Sequence, residues 1–162
     1  MRGITEVRTK EWIAGVVAGP LAGVNAALVL MLGGSQFLEA VGWIPFIGIA
    51  VAGGLVFPVV MAKGANPAAY SVIFVTSISG IMRSIVGDLV RIFGLVSLST
   101  YISFVFVFWL WVAAAVVVAP LASGALDAEL GFPHLQFSTF FGFMVYALFL
   151  GSFYGFTLQD YL

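Results

Sequence analysis

Long apolar runs dominate the chain, and four of them continue without a charge for about 20 residues, the length a helix needs to cross a bilayer core. They cover residues 12–32, 41–62, 101–121 and 137–156, and each is predicted to be a transmembrane helix. A further stretch, residues 68–98, is apolar as far as Met82 and then carries Arg83, Asp88 and Arg91. That stretch decides the topology. If it crosses, there are five spans, and Arg83 and Arg91 lie opposite Arg2, Arg8, Lys10 and Lys63. If it dips in and returns, or lies along the interface, all six Lys and Arg share one side and Glu39, Asp127 and Glu129 face the other.

Excess positive charge in short loops marks the cytoplasmic side, which favours the second arrangement with both termini cytoplasmic. Hydropathy argues the other way, since residues 68–87 are long enough to span if Arg83 snorkels from near the end. The expected fold is an all-α integral membrane protein with a single transmembrane helical domain over residues 1–162. It has four transmembrane helices plus a central re-entrant or interfacial segment, with five transmembrane helices as the alternative. The expected location is the cytoplasmic membrane of a prokaryote, as a multi-pass protein.

The polar and small residues of the middle stretch recur every three or four positions: Thr76, Gly80, Arg83 with Ser84, Gly87 with Asp88, Arg91 and Gly94. That spacing makes one helical stripe. Either it is a buried helix on which Asp88 pairs with Arg91 one turn on, or it is a polar path inside the bundle, since ionisable groups at membrane depth are costly and tend to be functional. Asn25, in the first span, adds a side-chain amide that needs a partner in lipid.

Small residues supply a second pattern. Gly15, Gly19 and Gly23 repeat at four-residue spacing with Ala18, Ala22 and Ala26 one face over. Lipid offers little hydrophobic force between helices, so close backbone approach at small residues drives association. These glycines are expected to form a packing seam within the chain or a contact with another subunit. Pro20 removes a backbone donor and should kink the helix. Gly48, Ala52 and Gly53 in the second span and Gly142, Gly151 and Gly155 in the last suggest further seams. Trp12 and Trp43 fall at helix ends, where an indole suits the headgroup region. Trp109 and Trp111 fall deep in the third span beside Phe104, Phe106 and Phe108, which suits a lipid-facing or partner-facing surface better than a tight internal seam. Tyr146, Leu150 and Tyr154 share a face of the last helix and read as core.

Composition confirms the class and narrows the chemistry. The 162 residues are 62% hydrophobic and 8% charged, with a mean hydropathy of +1.17, against about 25% charged residues in a soluble domain. The first apolar run exceeds the ~7 to 15 residues of a signal-peptide core, so it reads as a retained span. A net charge of −1 suggests neither a nucleic-acid partner nor a polybasic lipid-binding tail. With no Cys, disulfides, thiolate metal sites, iron-sulfur clusters and covalent haem attachment are excluded.

His134 is the lone histidine, and no second His or carboxylate cluster stands near it in sequence. It reads as an interfacial polar residue rather than a ligand, and no cofactor or metal is expected. No metalloprotease His-Glu motif, nucleophile elbow or phosphate-binding glycine loop is present, so an enzyme is not expected. The leading expectation is an accessory or structural subunit of a larger membrane complex, possible settings being respiratory or energy-converting. The alternative is a small transporter or channel in which Asn25, Thr76, Ser84, Asp88 and Arg91 line a polar route. Expected partners are the bilayer and other membrane subunits or further copies of the chain.

Overall fold

The computed structural model describes residues 7–64, 95–126, 130 and 134–160, and every regular element among them is helical. In chain order these are α1 (Thr9–Leu32), α2 (Gln36–Val41), α3 (Trp43–Gly64), α4 (Leu95–Ala113), a π-helical turn (Ala114–Val118), α5 (Ala119–Leu126) and α6 (Phe137–Asp160). Among the described residues, four helices are long and apolar enough to cross a membrane: Thr9–Leu32, Trp43–Ala62, Ser99–Ala122 and Phe137–Leu158. The chain is a multi-pass helical membrane protein. The central stretch with Arg83, Ser84, Asp88 and Arg91 lies outside the described residues.

Each long helix is antiparallel to the one it packs on. Gly15 of α1 meets Gly54 and Pro58 of α3, while Gly23 meets Ala50 and Ile47. At the other end of α1, Ser35 reaches Thr139, and Leu30 packs on Gly142 of α6. Ser99 and Ser103 of α4 meet Gly151 and Ala147 of α6, again in opposite directions. The packing order is therefore α3, α1, α6, α4, with α3 and α4 touching less extensively. Phe46, Ile49, Ala50, Leu110, Phe143 and Tyr146 line a small apolar crevice where those two approach.

Two consequences follow from this alternation. Gly64 and Leu95, the described residues flanking the central stretch, lie at the same end of the bundle, as do Val7 and Asp160. Arg8, Lys10 and Lys63 also belong to that end, whereas Glu39 on α2 belongs to the other. At the basic end, Glu11 accepts a hydrogen bond from the Arg8 backbone N–H at 2.7 Å and pairs with the Arg8 guanidinium at 3.3 Å. A carboxylate in the first turn satisfies a free donor and complements the helix dipole.

The α1–α3 seam is close enough for backbones to touch. A Cβ built at Gly19 would lie 2.8 Å from the Ala50 carbonyl oxygen and 2.9 Å from Gly54 Cα, and one at Gly15 would strike the Gly54 carbonyl. Gly15, Gly19 and Gly23 thus form a seam inside the chain. The α4–α6 seam is equally tight at Gly151, where a Cβ would lie 2.7 Å from the Ser99 carbonyl oxygen. Gly155 is buried one turn further on.

The third span departs from its sequence reading in one respect. It forms a tight internal seam through buried Ser99, Ser103 and Val107, and its opposite side carries Phe108 and Trp109 outward. Trp109 and Trp111 lie in the middle of the apolar helix Ser99–Ala122, as read from the sequence. Trp111 packs edge-on against Phe140, in the first turn of α6, at 4.9 Å between ring centroids. Tyr146, Leu150 and Tyr154 are all buried, as expected of core residues.

Gly19→Leu is expected to push α1 and α3 apart and destabilise the bundle by about 1–3 kcal/mol. Gly48→Leu, at a glycine with open space around its Cβ position, is expected to change nothing. Thermal unfolding in detergent compares them, and equal effects would contradict the seam.

Candidate functional site

The sequence-selected polar residues do not converge. Asn25 lies on the outer flank of α1, where its Nδ2 donates to the carbonyl of Leu21, one turn back, at 2.8 Å. Arg83, Ser84, Asp88 and Arg91 lie outside the described residues, so the proposed stripe has no described geometry. His134, read from the sequence as an interfacial polar residue, lies just before α6 at the end of the bundle and is 3% exposed. It belongs to a polar cluster whose other members, buried Ser35 and Thr139 and half-buried Gln136, the sequence reading did not select.

Local backbone geometry brings this cluster together. α1 ends on Gly33-Gly34, and Gly34 adopts φ 64°, a left-handed conformation that glycine takes without steric cost. The chain then turns back so that Gly34 N–H donates to Met31 O at 3.2 Å and Ser35 N–H to Leu30 O at 2.9 Å. This pair of bonds is the Schellman arrangement that satisfies terminal carbonyls. It aims Ser35 at Thr139 of α6 and starts α2, with the Ser35 hydroxyl accepting weakly from Leu38 N–H at 3.4 Å.

On the other side, the π-helical turn lengthens the hydrogen-bond step to five residues and releases a carbonyl from the α-helical ladder. His134 N–H donates to Ala115 O at 3.1 Å, which ties the segment before α6 to this turn. The His134 ring stacks on Phe37 of α2 at 6.3 Å between centroids. One histidine thus joins the π-turn, α2 and α6.

The cluster closes without an unpaired group in its centre. Thr139 donates to Gln136 Oε1 at 3.2 Å, and its oxygen lies 2.8 Å from Ser35 Oγ and 3.3 Å from His134 Nε2. A threonine hydroxyl has one proton and two lone pairs, so Ser35 and a neutral His134 protonated at Nε2 both donate to it. Gln136 Oε1 also accepts from Gln36 N–H at 2.9 Å, and its Nε2 donates to Gly34 O at 3.3 Å. Burial alone holds the His134 imidazole below its ordinary value of 6.5, because desolvation disfavours the charged ring.

The arrangement serves as a neutral hydrogen-bonded latch across the end of the bundle. Among the described residues no group of three His, Cys, Asp or Glu is placed to hold a metal ion. Buried hydroxyls make comparable bonds deeper in the bundle: Ser99 donates to Gly151 O, Ser103 to Ala147 O and Tyr146 to Ala50 O, each at 2.7 Å. The i, i+4 spacing of Ser99 and Ser103 inside an apolar helix was the sequence signal for two of them. Trp111 Nε1 and Ser138 Oγ are buried with no hydrogen-bond partner among the described residues.

Comparison with family models, with curated proteins and with solved structures returns no match for this chain. The functional reading therefore rests on its own geometry.

Thr139→Val is expected to destabilise the chain by about 1–3 kcal/mol, because Ser35 and His134 lose their shared acceptor. Detergent unfolding at neutral pH measures this, and an unchanged midpoint would dissolve the latch. A pH series tests His134. The folded chain keeps the ring neutral where an unfolded chain already protonates it, so the stabilisation is complete above 6.5 and falls as pH drops towards the lowered folded value. Wild-type chain should therefore lose stability relative to His134→Gln as the pH falls below 6.5; a difference independent of pH would contradict the assignment.

Proposed function

We propose that this protein is an accessory, structural subunit of a larger membrane assembly. The observation that carries the reading is how polar groups within the spans are used. Ser99, Ser103 and Tyr146 each donate to a backbone carbonyl of a neighbouring helix, which fixes helices to one another. A route for a solute or ion needs polar groups turned into a shared passage. Asn25, the described residue assigned to such a route, instead sits on the outer flank of α1.

Within this reading the central stretch from residue 68 to the start of α4 at Leu95 is a re-entrant or interfacial element rather than a fifth span. The same-end placement of Gly64 and Leu95 supports it, since an even number of crossings must connect them. The grouping of Arg8, Lys10 and Lys63 at that end supports a cytoplasmic position for both termini. A re-entrant element would have to be buried in protein, because lipid-exposed irregular backbone does not occur at depth.

Two measurements test the proposal. Blue native electrophoresis of the source membrane is expected to show the chain in a species much larger than itself; migration only as one or two copies would overturn the accessory role. Reporter fusions at Met1 and Leu162 are expected to place both ends in the cytoplasm, and opposite locations would establish an odd number of spans.

A further inference from the structure

α1 packs through one side only. Its buried residues, Ala14, Gly15, Ala18, Gly19, Ala22, Gly23, Ala26, Ala27 and Leu30, serve the seams with α3 and α6. On its outer flank Leu21, Asn25, Leu28 and Leu32 follow one another at steps of four, three and four residues, the spacing of a coiled-coil seam. The three leucines are 46%, 42% and 82% exposed, and Asn25 is partly exposed between them.

Asn25 makes this strip more than a lipid-facing surface. It lies seven residues before the end of α1 at Leu32, about 10 Å inside the helix end at 1.5 Å per residue. One amide proton is used by the Leu21 carbonyl. The side-chain oxygen and the second amide proton have no partner among the described residues. Hydrocarbon offers neither a donor nor an acceptor, so a protein surface satisfies this amide better than lipid does.

We propose that α1 pairs in parallel with α1 of a second copy of this chain, along Leu21, Asn25, Leu28 and Leu32, with the two Asn25 amides hydrogen-bonded to each other across a two-fold axis. A second copy fits for three reasons. An amide carries both donor and acceptor, so two identical amides facing across a two-fold axis satisfy each other. Copies inserted with the same topology present α1 in parallel. A seam at 3.5-residue period then sets each residue opposite its own counterpart, with a single asparagine fixing the register. The glycine seam of α1 is already occupied by α3, so this contact uses the opposite flank. The dimer does not depend on the accessory role, since a dimer can stand alone or enter a larger complex.

The test uses the full chain in liposomes over a range of protein-to-lipid ratios, with dimers counted by single-molecule photobleaching. Wild type and Asn25→Gln are expected to dimerise, and Asn25→Val to raise the dissociation constant between about threefold and about thirtyfold, the range of an interhelical side-chain hydrogen bond in lipid. Because the chain has no cysteine, Leu28→Cys introduces a unique thiol while keeping Asn25. Oxidation should cross-link Leu28→Cys into dimers, and should not cross-link Ile49→Cys, an exposed position on α3. Monomers at every ratio, equal cross-linking at the two positions, or an unaltered Asn25→Val dimer would each overturn the proposal. So would cross-linking of Leu28→Cys in native membranes only to a different protein. If Asn25→Val fails to fold, the cysteine pair still decides. A species of two copies and nothing larger in native electrophoresis would support the dimer while overturning the accessory role.

Discussion

Contact between the backbones of α1 and α3 is the constraint on which this bundle depends. Gly15 and Gly19 lie against Gly54 so closely that a methyl group at any of the three would collide with backbone. In water a helix pair is driven together by burying apolar surface, but in lipid the alternative to contact is an equally apolar tail. What remains is dispersion between closely packed atoms, which weakens sharply with small separations. Small residues at the seam are therefore a condition for packing, and the ring of Pro58 fits beside Gly15 for the same reason.

Hydrogen bonds then fix the pairs that dispersion brings together. The α4–α6 seam combines a glycine, Gly151, with two hydroxyls that donate to carbonyls of α6. Tyr146 joins α6 to α3 across the bundle through Ala50 O, and a Cβ at Gly53 would crowd its hydroxyl. A serine or tyrosine hydroxyl inside an apolar helix has no water to turn to, so these side chains discriminate between one register and its neighbours. They act on the arrangement of the helices.

At the end away from the basic residues, the latch of Ser35, His134, Gln136 and Thr139 solves a different problem. Here the chain leaves helical geometry twice, at the end of α1 and at the π-turn, and each departure frees backbone groups. His134 N–H takes the Ala115 carbonyl, and Gln136 binds both Gly34 O and Gln36 N–H. Irregular backbone is tolerated beside a bilayer only where such partners exist. Burial in this network holds the His134 imidazole below its ordinary value, so the contacts that close the end favour the neutral ring.

The sequence by itself determined the class of protein, the four spans to within a few residues, the glycine seam of α1 and the core role of Tyr146 and Tyr154. Those follow from length, charge and local spacing, which act along one helix at a time. Helix α2 escaped because six residues are too few for a periodic signal, and Ser35, Gln136 and Thr139 escaped because their significance lies in partners about 100 residues away in sequence. Which end of α3 and α4 faces which, and therefore that Gly64 and Leu95 share an end, was decided only by tertiary packing: direction is a relation between helices, and no single helix carries it.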